Sequence, residues 1–183
     1  MPEAVILING QAGSGKTACA RALFERLSAC ALLDVDALTT VEPFVWGEEL
    51  SLLGLRNAAA LARNFQAAGF PQVILAGGAF RQDLVNAFAA MVPAGTRLLY
   101  IWLQAERSVR HARCLRRARD GADAAEFLDW RDRLMPYPGP LDVPGGRYLE
   151  VDTSVRSPEQ VAGAVLAQLT EEGLVLKEPT PRD

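Results

Sequence analysis

The sequence has few of the features that mark a disulfide-stabilised or membrane-inserted protein. Its three cysteines, Cys19, Cys30 and Cys114, are widely spaced and form no Cys-x-x-Cys pair. That pattern indicates a reducing compartment rather than a disulfide framework. The apolar run at residues 4–8 is too short for a signal peptide or a membrane span. We therefore expect a cytoplasmic protein whose cysteines pack as small apolar residues.

A large charge excess is also missing, since the formal net charge is −3 at pH 7. This value argues against a general binder of nucleic acid or of anionic membranes. The chain has 183 residues, of which 50% are hydrophobic and 22% charged, so it can bury one sizeable core. We expect a single domain over residues 1–170, a partly ordered tail over 171–183, a small-molecule partner, and a monomeric or homodimeric state.

Short apolar runs alternate with helical patterns along the chain. The runs predict strands at residues 4–9, 30–35, 72–76, 96–103 and 147–151, and each run is continuously apolar, as in strands covered on both faces. The intervening patterns predict helices at residues 15–27, 47–68, 80–90, 105–119, 123–134 and 157–170. Because strand and helix alternate, we expect an α/β protein, a three-layer α/β/α sandwich with a five-stranded parallel sheet.

The segment after the first predicted strand carries the complete pattern of a phosphate-binding loop, GxxxxGK followed by Ser or Thr. Its glycines let main-chain N–H groups converge, and the positive end of the following helix attracts phosphate. We expect Lys16 to reach the β- and γ-phosphates of ATP and the Thr17 hydroxyl to ligate Mg²⁺. The alternative is a glycine-rich turn with a surface lysine. The predicted phosphate-binding residues are Gly10, Gln11, Ala12, Gly13, Ser14, Gly15, Lys16 and Thr17.

Two acids, Asp34 and Asp36, end the second predicted strand, where ligands bind in open α/β sheets. One could hold a Mg²⁺-bound water and the other could accept the proton of an attacking hydroxyl. We assign the metal role to Asp34 and the general-base role to Asp36; alternatively, Asp36 is a helix N-cap and Asp34 a solvated strand end. The third predicted strand ends in Ala76-Gly77-Gly78, without the acid that motor and AAA-type ATPases need there. The pattern therefore favours group transfer over mechanical ATP hydrolysis.

From residue 4 to about residue 169 the chain resembles the P-loop small-molecule kinases of the nucleoside-monophosphate-kinase fold. This family includes shikimate kinase, gluconate kinase, adenylylsulfate kinase and chloramphenicol phosphotransferase. The spacing from Lys16 to Asp34-Val35-Asp36 is similar to that of shikimate kinase, which implies that Asp36 contacts the acceptor hydroxyl. The resemblance implies the P-loop nucleoside-triphosphate hydrolase fold with a helical lid at about residues 105–140, and an ATP-dependent phosphotransferase.

The same resemblance places the acceptor site. The stretch at residues 55–83 is similar to the acceptor-side helix and strand of adenylylsulfate kinase, with Arg56, Asn57 and Arg81 at its polar anchor positions. Gly77 and Gly78 resemble the glycine-rich acceptor loop of shikimate kinase. Asp36, Arg56, Gly77, Gly78 and Arg81 are therefore the predicted substrate-binding residues. Phe44 and Trp46 could form an apolar wall for a ring-bearing substrate, although core packing explains them about as well.

Six arginines crowd the predicted lid helix, and they are Arg107, Arg110, Arg113, Arg116, Arg117 and Arg119. One or two guanidiniums on a closing lid would stabilise the charge of a transferring phosphoryl group. A solvated helix face explains most of the others. We select Arg113 and Arg117, one helical turn apart, as catalytic lid residues, and assign His111 no role because a surface position is expected.

Two other functions stay open. In a nucleotide kinase, Arg56 and Arg81 would clasp an acceptor phosphate, but Gly77-Gly78 replaces the expected acidic, arginine-bearing acceptor loop. In a regulatory protein, ATP or GTP would bind without transfer. Guanine specificity usually needs an Asn-Lys-x-Asp stretch on the fourth strand, and residues 101–108 lack one.

Overall fold

A five-stranded parallel sheet organises the chain in the computed structural model, which describes residues 2–116, 124–171 and 173. Its strands lie in the order β2-β3-β1-β4-β5. The predicted sheet is confirmed, with strand ends displaced by at most one residue. The strands are β1 (Ala4–Asn9), β2 (Cys30–Asp34), β3 (Gln72–Ala76), β4 (Arg97–Gln104) and β5 (Gly146–Asp152).

Six α-helices connect or flank the strands in the described part of the chain, as the helical patterns predict. The first helix ends at Phe24, three residues before its predicted end, and Asp36–Thr39 form a 3₁₀ turn that was not predicted. None of the described helices combines the length and apolar character needed to cross a membrane. The helices are α1 (Lys16–Phe24), α2 (Glu48–Ala67), α3 (Gln82–Met91), α4 (Arg107–Arg116), α5 (Ala124–Leu134) and α6 (Pro158–Glu171).

The core has two layers, one on each face of the sheet. Every residue of β1 is fully buried, and alternate side chains enter opposite layers. Val5 and Leu7 pack in the layer with α2 and α3, whereas Ile6 and Ile8 pack with α1 and α6. Full burial of each such side chain contributes about 1.5–3 kcal/mol, so the central strand holds the loop that follows it in a fixed place.

The order of the strands determines where a ligand can bind. The chain passes from β1 through α1 to β2, which lies at one edge of the sheet. From β3 it passes through α3 to β4, which lies beyond β1 toward the opposite edge. This reversal leaves a crevice outside the carboxyl end of β1, which is the usual ligand position in open α/β sheets. The loop at residues 10–15 lies at that end.

Candidate phosphate-binding and acceptor site

The loop between β1 and α1 depends on glycine at the positions of the motif. Gly10, Gly13 and Gly15 have φ angles of 148°, 79° and 98°, which L side chains rarely adopt. A Cβ on Gly13 would lie 2.3 Å from the carbonyl oxygen of Arg110. A Cβ on Gly10 would lie 2.4 Å from that of Leu103. Main chain from β4 and α4 therefore packs directly against the loop.

Asn9, the last residue of β1, joins this loop to the glycine loop after β3. Its fully buried side chain accepts a hydrogen bond from the Gly10 N–H at 2.9 Å and donates one to the Ala79 carbonyl. The Tyr100 hydroxyl donates to the same carbonyl at 2.7 Å. The two loops therefore hold a fixed relative position, and this role of Asn9 was not predicted.

Two further side chains fix the loop from distant parts of the chain. The buried Thr153 hydroxyl lies 2.9 Å from the Ser14 carbonyl and donates to it. The Arg110 guanidinium donates to the Ala12 carbonyl at 3.1 Å. These contacts connect the loop to the segment after β5 and to α4, so its shape depends on elements at least 98 residues away in sequence.

Lys16 turns back over the loop that precedes it. Its ammonium group donates to the carbonyls of Gly10, at 2.8 Å, and Gln11, at 3.3 Å. Burial lowers its pKa to about 8, and the nearby Asp36 carboxylate offsets part of that shift. Within the described residues no carboxylate lies within ion-pair distance of Lys16. A phosphate could therefore replace its carbonyl partners without breaking an ion pair.

This pKa predicts a pH dependence of nucleotide affinity. A triphosphate favours the protonated Lys16, so binding above pH 8 requires the uptake of a proton. We expect the dissociation constant for ATP to be flat near pH 7 and to increase above pH 8, approaching about tenfold per pH unit. Titration calorimetry between pH 7 and 9.5 measures this. Lys16→Gln serves as the control, with weak binding that does not vary over this range, whereas a flat wild-type profile would contradict the assignment.

A cavity of about 280 Å³ lies on one side of the loop, and we call it the Thr153 cavity. It is lined by Gly15, Cys19, Arg113, Thr153 and Arg156, among others. The Arg113 guanidinium donates to the Thr153 carbonyl at 2.6 Å and to its hydroxyl at 3.2 Å. Arg113 thus lies in the wall of this cavity. Arg117 lies outside the described residues.

Two pockets on the other side of the loop share Lys16 and Asp36. The Thr17 pocket, about 310 Å³, also contains Thr17 and Cys114. The Trp46 pocket, about 40 Å³, also contains Trp46, Gly77 and Gly78. The structure therefore brings together the predicted phosphate ligand, metal ligand, base and acceptor loop. Asp34 lines neither pocket.

Asp34 and Asp36 have different local roles. Asp34 accepts a hydrogen bond from the Asp36 N–H at 3.1 Å, so its side chain supports the start of the 3₁₀ turn. The Asp36 carboxylate instead lies beside the acceptor loop, where a Cβ on Gly77 would be 3.4 Å from its Oδ1. The φ angle of Gly77 is 91°, which favours glycine. Gly77 allows this loop to approach Asp36.

The predicted aromatic wall is formed in part. Trp46 stacks on Phe80, with ring centroids 6.3 Å apart and planes at 24°, and both residues line the Trp46 pocket. Phe44 contacts Trp46 from outside, with centroids 6.4 Å apart, but it does not line this pocket. The wall therefore consists of Trp46 and Phe80, and the role of Phe80 was not predicted.

Arg56 and Arg81, the two arginines expected at the acceptor site, are not among the residues that line its pockets, although the Arg81 guanidinium lies 5.7 Å from the centroid of the Phe80 ring. Arg81 is bonded to Asp83 at 2.6 Å and lies 3.7 Å from Glu48, and Arg56 is exposed on α2. Neither lines the Trp46 or the Thr17 pocket. Asn57 donates to the Leu38 carbonyl at 3.0 Å, which holds the 3₁₀ turn against α2.

An ion-pair network joins α4 and α5, the two described helices of the predicted lid region. Arg110, which is buried, donates two hydrogen bonds to Asp132 on α5, at 2.7 and 2.9 Å. His111, expected at the surface, is instead half-buried, with Nε2 3.0 Å from Asp132. Burial would raise the pKa of Asp132, but the bonds from Arg110 and His111 outweigh it and lower this pKa. Arg107 pairs with Asp129 at the exposed edge of the network.

Loss of Arg110 should destabilise the fold. Removing one partner of a buried ion pair costs about 3–5 kcal/mol, so urea unfolding of Arg110→Ala should show a loss of that size. The control Arg107→Ala removes an exposed arginine and should lose no more than about 1 kcal/mol. Because the folded-state pKa of Asp132 is lowered, the contribution of the pair is present above pH 4 and decreases below it as Asp132 becomes protonated. Equal losses in both variants, or no decrease at low pH, would contradict this role.

Comparison with known proteins gives a family match and several similar solved structures. Residues 5–136 match the model of a family described as an AAA domain. Similar solved structures include a sugar kinase from a Janibacter species, 18% identical over 97% of this chain and 100% of that one, with a TM-score of 0.72. The Mycobacterium tuberculosis APS kinase, solved with AMPPNP and APS, is 16% identical over 92% of this chain and 98% of that chain, with a TM-score of 0.65.

A gluconokinase from Sinorhizobium meliloti is 20% identical over 94% of this chain and 96% of that chain, with a TM-score of 0.62. A sequence search of curated proteins found no match. The expected resemblance to P-loop small-molecule kinases is therefore confirmed at the level of the fold. The family match includes the whole phosphate-binding loop, which implies nucleotide binding. The chain belongs to the AAA domain family of P-loop proteins.

Proposed function

We propose that the protein is an ATP-dependent phosphotransferase that moves the γ-phosphate to a hydroxyl of a small molecule. The observation that carries this proposal is that Lys16 and Asp36 both line the same two adjoining pockets. Lys16 belongs to the phosphate-binding loop, and Asp36 faces the glycine loop after β3. A donor phosphate and an acceptor hydroxyl could therefore meet between them.

The loop supplies the donor side. Main-chain amides of residues 11–16 and the Lys16 ammonium would hold the phosphates. The nucleoside would occupy the Thr153 cavity, where Arg113 lies in the wall. The hydrogen bonds from Arg113 to Thr153 hold its guanidinium in this wall. We propose that Arg113 contacts the bound nucleotide there.

Magnesium fits the oxygen groups beside the phosphates. Mg²⁺ usually binds one or two protein oxygens together with waters and substrate phosphates. Thr17 lines the pocket that Asp36 also lines, and Asp34 is two residues from Asp36. We propose that Thr17 holds the ion and that Asp34 supports one of its waters. The bound ion would neutralise part of the phosphate charge.

Asp36 would act on the acceptor. Its carboxylate would accept the proton of the hydroxyl while the hydroxyl oxygen forms a bond to the γ-phosphorus and the bond to the ADP oxygen breaks. The Trp46 pocket has room for a few water molecules, so it fits the reactive end of an acceptor. The stacked Trp46 and Phe80 rings offer an apolar face for a ring next to that end.

The residues that line the two pockets also distinguish the proposed phosphotransferase from a nucleotide kinase and from a regulatory protein. A nucleotide kinase needs cations that clasp the acceptor phosphate, and Arg56 and Arg81 do not line either pocket. A regulatory protein would bind ATP without transfer. The end of β3 carries Ala76 rather than an acid, and the acceptor loop follows it directly, which supports transfer over hydrolysis driving a mechanical change.

The experiment is a screen of ADP release across hydroxyl-bearing metabolites, antibiotics and nucleotides, with Lys16→Ala protein as the blank. We expect at least one non-nucleotide hydroxyl compound to stimulate ADP release by the wild-type protein and to gain a phosphoryl group in the mass spectrum. Stimulation by nucleoside monophosphates alone would favour the nucleotide kinase. Slow ADP release that no compound changes would favour the regulatory protein and contradict the proposal.

A further inference from the structure

Arg131, on the second described lid helix, lies at the boundary between the two pockets. Its side chain is half-buried, and it lines both the Trp46 pocket and the Thr17 pocket. Lys16 and Asp36 are the other two charged residues common to both walls. The point at which donor and acceptor would meet is therefore surrounded by two cations and one carboxylate.

The contacts of Arg131 differ from those of other lid arginines. Arg107 and Arg110 pair with carboxylates on α5, and Arg113 donates to Thr153. The Arg131 guanidinium lies over the Phe127 ring, 5.8 Å from its centroid, and shows no ion pair with the residues that the structure describes. The π contact holds the group while its N–H donors stay available for an anion.

The charges around Arg131 indicate what that anion would be. The positive charge of Arg131 is close enough to Lys16 to act against protonation of the lysine, so the two cations repel each other. An anion between them would remove this repulsion and bind both. At the junction of a phosphate-binding loop and an acceptor pocket, the group with that charge and position is the phosphoryl group in transfer.

We propose that Arg131 is a catalytic residue that binds the transferring phosphoryl group, a role that rests on the proposed phosphotransfer. As the bond from the γ-phosphorus to the ADP oxygen breaks, the acceptor oxygen forms its new bond to phosphorus and its proton passes to Asp36. The planar guanidinium donates to the equatorial phosphoryl oxygens, where charge is spread in the transition state. Arg131 is thus assigned the role that the sequence suggested for the lid pair Arg113 and Arg117.

The test compares the binding of ADP with that of ADP plus aluminium fluoride, an analogue of the transition state. It needs no knowledge of the acceptor. We expect Arg131→Ala to bind ADP within about twofold of wild type and to lose at least about 10²-fold in affinity for the fluoride complex. Arg131→Lys, which keeps the charge but not the fork of donors, should lose less. Arg133→Ala removes an exposed arginine from the same helix and should behave as wild type.

Each result decides the assignment. If Arg131→Ala binds the fluoride complex as tightly as wild type does, Arg131 has no role in transfer and the inference is overturned, while the proposed function stands. An equal loss for ADP and for the fluoride complex would make Arg131 a ground-state ligand and would also overturn it. If wild type gains no affinity from fluoride and no acceptor stimulates ADP release, the proposed function fails together with the inference. Thermal unfolding of each variant confirms that it is folded, and Arg131→Lys decides the matter if Arg131→Ala is not.

Discussion

Lys16→Ala should lose most of the affinity for ATP. The variant removes the cation that would lie between the β- and γ-phosphates, and hydrogen bonds to charged groups are worth about 1.5–3 kcal/mol each. Two such bonds correspond to a decrease of about 10²-fold or more in affinity. Among the described residues, the Lys16 ammonium donates to the main-chain carbonyls of Gly10 and Gln11 and forms no ion pair, so the fold should tolerate the change. Calorimetric titration with ATP measures the loss.

Arg56→Ala is the matched control for this experiment. It also removes one positive charge, but from an exposed position on α2 that lines neither pocket. Its affinity for ATP should equal that of the wild type at physiological salt. If Lys16→Ala bound ATP as tightly as Arg56→Ala, the loop at residues 10–17 would not be the phosphate site.

Asp36→Asn should separate binding from transfer. The variant keeps the size of the side chain and much of its hydrogen bonding, but removes the negative charge and the proton affinity that a base needs. ATP affinity should persist or increase, because the loop is unchanged and one source of repulsion with the phosphates is lost. Acceptor-dependent ADP release should fall by about 10²-fold, the lower end for general-base catalysis, since a loose transition state depends less on the base.

Asp34→Asn tests which of the two acids is the base. Asp34 lines neither pocket, and its carboxylate accepts the Asp36 N–H, so we expect a smaller loss of transfer than in Asp36→Asn. Steady-state ADP release with the acceptor found in the screen gives both values. A larger loss in Asp34→Asn would assign the base to Asp34, and wild-type rates in both variants would place the base elsewhere.

The sheet and the phosphate-binding loop were predictable because local sequence determines them. Strands such as Gln72–Ala76 are buried on both faces, so each forms a continuous apolar run that needs no tertiary information to recognise. The loop is equally local, since its glycines and Lys16 lie within eight residues. The 3₁₀ turn at Asp36–Thr39 was missed because a single short turn has no periodicity.

The contacts of α4 and α5 were less predictable because a helix pattern does not show which neighbouring element each helix face will contact. Arg107, Arg110 and Arg113 follow one another at intervals of three and predict a single stripe. In the structure Arg110 is buried between Ala12 and Asp132, Arg107 is exposed, and Arg113 reaches Thr153. The position of Arg131 depends on how α5 returns over the loop, which is a property of the packing and not of the segment at residues 124–134.

The central claim is that the γ-phosphate of ATP is transferred to a hydroxyl group where the Thr17 pocket meets the Trp46 pocket, between Lys16 and Asp36. The most direct measurement follows ATP labelled at its γ-phosphate in the presence of the acceptor found in the screen. We predict that the label appears in the acceptor in proportion to ADP for the wild-type protein and about 10²-fold more slowly for Asp36→Asn. Label that appears only as inorganic phosphate, at a rate that neither the acceptor nor Asp36→Asn changes, would contradict the claim.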